Sequence, residues 1–332
     1  MKIALAVFLT LAGCASAAGP ERALVERRLG MMGTSLDIAV EAASREAALA
    51  ASERAVQALE AAEARLSTWR DDTELARLNQ APVGAVQTLS PALADDLGEA
   101  RRCWEETDGA FDPAVGALVR AWDLRGKGRV PSPAERREAV EAGRMDYLRL
   151  DGRTAVRERA GLVLEEGGFG KGAGLAEALA VLSRDPGVVR ASLNLGGQLA
   201  VLDRRPGKRW DVPVADPDRR DRAVVSLSID RGSVSTSGNS EKPGHLLDPR
   251  TGEPAPDFGS MTVWAEDPLR ADCLSTGLYV LGPDRALAWA AAHPDVEVLV
   301  LRREGGKLEA LASPGLKGNL ERLTSEVAIR FE

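Results

Sequence analysis

The sequence predicts an α+β protein of two interleaved lobes, built of mixed and antiparallel sheet with flanking helices. Three observations carry that expectation. The chain opens on a strand pair followed by long helical periodicities. From about residue 145 the pattern turns to short strands broken by Gly and Pro. No repeat of fixed period and no low-complexity linker divides the chain.

Residues 24–41 alternate around Gly30-Met31-Met32-Gly33, which reads as two strands meeting at a tight turn. Residues 45–66 read as an Ala-rich helix with Leu49, Val56, Leu59, Ala62 and Leu66 on one face. The next helix has clear punctuation: Ser90 as cap, Pro91 at its first position and Asp108-Gly109 at its end. Leu93, Leu97, Ala100 and Trp104 would face the core, with Cys103 on the same apolar stripe. A third helix is expected from about Pro113 to Trp122. Strands are expected at 146–150, 162–166, 190–195, 198–202, 210–214, 223–229, 260–265 and 296–301. Helices are expected at about 171–183, 271–281 and 284–292.

Composition narrows the function classes. The 332 residues are 44% hydrophobic, enough for a large core and against disorder. Forty-three Lys and Arg against 50 Asp and Glu leave a net charge of −7, and the Arg are scattered among acids. That balance excludes a general nucleic-acid binder, which needs a basic footprint. With only two His and three Cys, no site of several soft ligands is available. Any metal would be a hard ion held by carboxylates, hydroxyls and carbonyls.

Met1–Cys14 carries one Lys, an apolar run and Leu-Ala-Gly-Cys. The run is too short to span a bilayer but suits an export signal. The final tetrad resembles a bacterial lipobox, in which lipid on Cys14 would anchor the mature chain to a membrane. A secretory cut after Ala15-Ser16-Ala17 is the plainer reading. Residues 1–18 are therefore expected to be a leader, and the chain extracytoplasmic and periplasmic. Cys103 and Cys273 are left to pair or to stay buried as thiols.

Four segments carry chemistry. Residues 164–174 read Leu-Glu-Glu-Gly-Gly-Phe-Gly-Lys-Gly-Ala-Gly, a strand-to-helix turn where backbone amides can meet phosphate. It is not a P-loop, because Lys171 is followed by Gly172, and a plain tight turn explains it equally well. Asp272 and Thr276 stand four apart near a helix start, about 6 Å apart at Cβ, a spacing that suits Mg²⁺. A dipole-favoured acid beside a satisfied core Thr is the local alternative. His245, among turn residues and hydroxyls, is a candidate base or phosphate-orienting group. His293 reads as a helix-end contact, and the absence of a Gly-x-Ser-x-Gly elbow argues against a serine hydrolase. Asp112-Pro113 is explained locally as a helix cap, and Trp69, ending the long helix, as core or as ring-stacking surface.

The order of these motifs resembles the ApbE family of FAD:protein FMN transferases. It runs Met-Gly-Thr (32–34), Ser-x-Trp (67–69) with Glu-Leu-x-x-Leu-Asn (74–79), and Phe-Asp-Pro-x-Val-Gly (111–116). Gly-Gly-Phe-Gly-Lys-Gly (167–172), Asn-Leu-Gly-Gly (194–197) and Ser-Thr-Ser-Gly (235–238) follow. His-x-x-Asp-Pro-Arg-Thr-Gly (245–252) and Ala-Asp-x-x-Ser-Thr (271–276) complete it. The resemblance spans about residues 24–302, and it implies one transferase domain over 21–332 with an ApbE-like fold related to the T-fold. It further implies FAD as substrate, Mg²⁺ as cofactor, and transfer of FMN to a Thr or Ser of a redox protein. FAD contacts would fall on Met32, Trp69, Ala110, Phe111, Asp112, Glu165, Lys171 and His245. Mg²⁺ ligands would be the Gly168 carbonyl, Asp272, Ser275 and Thr276, with His245 and Asp272 catalytic.

Two departures stand out. Glu165 replaces the family's usual Asp, and Asn239–Gly244 is shorter than the usual hairpin. The shortened wall suggests hydrolysis of FAD to FMN and AMP as an alternative, and a non-catalytic flavin-binding lipoprotein is the other.

Overall fold

The computed structural model describes residues 22–240 and 244–332; the leader and Cys14 lie outside the described residues. β1 (Ala23–Met31) and β2 (Thr34–Ala42) form a hairpin turned by Met32 (φ 48°) and Gly33 (φ 71°). A hairpin turn of this twist asks for positive φ at both central positions, which Gly meets freely and Met does not.

α1 (Arg45–Leu66) is capped by the Ser44 hydroxyl. Its buried face runs through Ala48, Ala51, Ala55, Leu59, Ala62 and Leu66, whereas Leu49 points to solvent. α2 (Glu74–Gln80) and β3 (Val86–Thr88) lead to α3 (Pro91–Glu106), where Ser90 caps and Pro91 leads as the sequence indicates. Cys103 is fully buried there, and Trp104 only half-buried.

α4 (Gly116–Ala121) starts three residues later than expected. Asp112 accepts the Ala114 N–H (2.7 Å), and the Gly116 N–H goes to Val163 O (3.0 Å), so residues 112–115 form a turn. α5 (Pro133–Ala142) has a full capping box between Ser132 and Glu135. β4 (Leu148–Asp151) and β5 (Thr154–Arg157) follow.

The strand expected at 162–166 does not form. Asn79 pairs with the Leu164 backbone on both sides, accepting its N–H (2.8 Å) and donating to its carbonyl (2.9 Å). A side chain thus takes the place of a strand partner, and only the Val163 bridge to Val115 remains.

The second half carries α6 (Gly170–Arg184), β6 (Val188–Leu195), β7 (Gln198–Asp203), β8 (Trp210–Asp216), β9 (Arg219–Ile229) and β10 (Arg231–Gly238). Then come β11 (Gly259–Ala265), α7 (Pro268–Leu281), α8 (Pro283–Ala292), β12 (Val296–Glu304), β13 (Lys307–Ala312), β14 (Leu320–Arg322) and β15 (Val327–Phe331). A nine-stranded sheet runs β1-β2-β6-β7-β10-β11-β12-β13-β15, antiparallel except for its last pair. Two three-stranded sheets, β14-β9-β8 and β3-β5-β4, complete the fold.

Alternation along β12 divides the core. Val296, Val298 and Val300 face the layer of α3, α7 and α8, whereas Leu299 and Leu301 meet Val212, Val214, Val225 and Leu227 of the small sheet. A separate cluster packs α1 and α6 on β2, β6 and β7. The large sheet is therefore covered on both faces, and α6 and α7 lie side by side on one of them. Among the described residues, no helix is long and apolar enough to cross a membrane.

Candidate active site

A cleft of about 550 Å³ opens where the start of α6, the middle of α7 and the end of β10 converge. The β6–β7 turn, the β8–β9 hairpin, residues 245–249 and the segment before α4 form its walls.

Close approach of α6 to α7 makes its floor. A Cβ on Gly172 would stand 2.6 Å from Pro268 O and 2.7 Å from Asp272 Cβ, so only glycine lets the helices meet. α7 begins at Pro268, capped by Asp267, which puts Asp272 in its second turn rather than at its opening. Asp272 does not serve its own helix end. Its buried Oδ2 accepts the Gly172 N–H (2.8 Å) at the uncapped start of α6, and Oδ1 faces Lys171 Nζ at 3.4 Å.

Thr276, one turn on, presents Oγ1 3.5 Å from Ser237 Oγ and 3.6 Å from where a Gly168 Cβ would lie. Gly168, Lys171, Asp272 and Thr276 all line the cleft. Ser275 does not line it: its hydroxyl is buried against Ser235 (3.1 Å), Ser237 (2.9 Å) and the Asp272 carbonyl (3.0 Å). These donors are oxygens, and no group of three or more His, Cys, Asp or Glu gathers among the described residues. One carboxylate, one hydroxyl and a backbone carbonyl fit a hard ion that keeps waters, not a soft one.

The remaining expected residues divide between wall and support. His245, Ala110, Phe111 and Asp112 line the cleft. The Asp112 carboxylate is held by the N–H groups of Ala114 (2.7 Å) and Met145 (3.1 Å), and burial pushes its pKa up to about 6. Its two backbone bonds tie the segment before α4 to Met145 and so shape the wall. Met32 lies outside the lining, its Sδ 3.4 Å and its Cε 3.8 Å from where Cβ atoms of Gly174 and Gly170 would be. It braces the glycine-rich start of α6 from behind, and that packing offsets its left-handed backbone.

Trp69 is 71% exposed at the rim, with the Arg125 guanidinium 4.6 Å over its ring. Arg125 also binds the Thr68 carbonyl (2.8 Å), the Thr68 hydroxyl and the Glu165 carboxylate. Burial raises the Glu165 pKa, and the Arg125 charge opposes that rise. Arg125 carries no motif and sits in a turn, so sequence reasoning did not find it. Cys103 and Cys273 are both buried free thiols.

A model described as the ApbE family matches residues 32–300. The FAD:protein FMN transferase of Salmonella typhimurium is 29% identical over 338 residues, covering 95% of each chain. That of Treponema pallidum is 30% identical over 281 residues, covering 76% of this chain and 77% of its own. In three dimensions the chain is similar to the flavin transferase ApbE from Vibrio cholerae, with a TM-score of 0.77 and 25% identity. That match covers 90% of this chain and 100% of the other. The apo flavinyl transferase ApbE of Pseudomonas stutzeri superposes with a TM-score of 0.79 at 25% identity, over 90% and 97% of the two chains. The mixed α+β architecture is the one these structures share.

Proposed function

This chain belongs to the ApbE family, and from that premise and the geometry of its cleft we propose how it works as a flavin transferase. It takes FAD as substrate and transfers the FMN moiety to a protein acceptor. The finer reading is Mg²⁺-dependent transfer to a Thr or Ser hydroxyl of a redox protein, with release of AMP. The meeting of the α6 start with Asp272 and Thr276 supports that reading most directly.

The start of α6, where the N-cap Phe169 makes no side-chain bond and Asp272 takes the Gly172 N–H, and the Lys171 ammonium favour an anionic pyrophosphate at the floor. Asp272, Thr276 and the Gly168 carbonyl are the donors we assign to Mg²⁺, with Ser275 holding Ser237 behind them. Mg²⁺ bound there would neutralise pyrophosphate charge and make AMP a better leaving group. The acceptor hydroxyl oxygen bonds to the FMN phosphorus as the bond from that phosphorus to the bridging oxygen breaks. The electron pair leaves with AMP, and His245 takes the hydroxyl proton. Catalysis of this kind rests on positioning and charge more than on covalent help.

The leader reading of residues 1–18 adds an extracytoplasmic setting, with anchoring through lipid on Cys14. Fractionation of the full chain reports on this, and membrane association is the expected result. The activity test incubates the protein with FAD, Mg²⁺ and a candidate acceptor, then records acceptor mass and free AMP. Acceptor gain matched by AMP is expected. AMP without acceptor gain would mark an FAD hydrolase, and neither product would leave binding alone.

A further inference from the structure

FAD carries two flat ring systems, and the cleft offers one broadly exposed aromatic among its described lining, Trp69; Phe111 is buried in the wall. An indole this exposed has little packing of its own to fix its angle. Arg125 supplies the missing support from one side. Its guanidinium lies 4.6 Å over the ring, and one prong also binds the backbone carbonyl of Thr68, the residue before Trp69. The other prong reaches the Thr68 hydroxyl and the Glu165 carboxylate.

Arg125 is itself held by a closed turn. Asp123 takes a left-handed backbone (φ 50°), its carbonyl accepts from the N–H groups of Gly126 (3.0 Å) and Gly128 (3.1 Å), and its carboxylate accepts from Lys127 N–H (3.0 Å). The turn closes where Arg129 N–H meets Trp122 O (2.9 Å). The brace therefore runs from the end of α4, through Arg125, to the rim strut at Thr68 and Trp69.

We propose that Arg125 is a positioning residue for FAD, holding the Trp69 indole with one face braced and the other open to a substrate ring. Glu165 serves it as the anchor: a carboxylate at that place holds the guanidinium over the ring. The brace acts on ring docking, away from the floor where the phosphorus reacts, so it governs affinity for FAD rather than the chemical step. This assignment rests on the functional reading above, because it takes FAD to be the occupant.

A double-mutant cycle tests it, with FAD affinity measured by flavin fluorescence on the full protein for wild type, Arg125→Ala, Trp69→Ala and the double variant. Arg125→Ala should weaken FAD roughly three- to tenfold, the range of an exposed cation–ring contact plus lost ordering. In the Trp69→Ala background the same change should add nothing, since the brace then has no ring to hold. Arg125→Lys, which keeps a cation near the ring, should recover part of the loss. KM for FAD should rise while kcat stays within about twofold. Arg125→Ala should also lower the thermal midpoint modestly, because it strips Glu165 of its partner, so affinities are compared on folded protein. Unchanged affinity in Arg125→Ala would overturn the assignment, as would an equal loss in the Trp69→Ala background. Wild-type protein that fails to bind FAD would remove the functional reading first, and this one with it.

Discussion

At the floor of the cleft, α6 and α7 meet through backbone, with Gly172 against Pro268 and Asp272 and no room for a methyl group. At the rim, Trp69 and Arg125 meet through long side chains in partial contact with water. The floor is fixed by close packing and buried hydrogen bonds, so a small displacement moves every donor together. The rim is held by charge and ring contacts, each individually modest and open to exchange. A phosphoryl-transfer centre benefits from the first plan, and recognition of a large, two-ringed substrate tolerates the second.

The strongest way to break that contrast is Gly172→Ala. The new methyl group must push α7 away from α6, at a cost of about 1–3 kcal/mol in stability. Because Asp272 moves with it, turnover should fall by about 100-fold, measured as AMP release beside a denaturation curve. Gly167→Ala, five residues earlier, meets nothing within 4 Å and should leave stability within about 0.5 kcal/mol. Equal effects at the two sites would show that the floor is not the tight junction described.

A subtler probe uses pH. Burial raises the Asp112 carboxyl to about 6, so between its ordinary value and 6 the folded state holds a proton the unfolded state has released. Its stabilising contribution is present below about pH 4 and is lost as pH rises through about 6. Comparing Asp112→Asn with wild type in urea, the difference should move in the variant's favour between pH 4 and 7, by at most about 3 kcal/mol. Parallel curves would place the titration elsewhere, with buried Asp96, also raised to about 6, the next group to test. The rim variants already described carry the smallest effects.

The punctuated helices were the most legible part of the fold, because Ser44, Ser90 and Pro91 act through local geometry that a sequence displays. β10 was hidden for the opposite reason. Its Ser-Val-Ser-Thr-Ser run reads as turn chemistry, yet it lies between β7 and β11 inside the large sheet, where tertiary pairing overrides propensity. The same holds for the loss of the 162–166 strand to Asn79, a partner more than eighty residues away. In the site, Asp272 and Thr276 were legible as a pair by spacing. What Asp272 binds was not, since its partner at Gly172 is a hundred residues distant. Arg125 lacked any local signal, because its role depends on three residues from two other segments.

If the FAD pyrophosphate is cleaved at the α6–α7 junction, as proposed, substitution of Asp272 must stop turnover without stopping binding. AMP release at saturating FAD and Mg²⁺ should be compared for wild type, Asp272→Ala and Asp272→Asn, the last keeping an acceptor for the Gly172 N–H. Both variants should lose about 100-fold or more in turnover while FAD still binds. Turnover unchanged in a folded, FAD-binding Asp272→Asn would move the reacting phosphorus away from this junction.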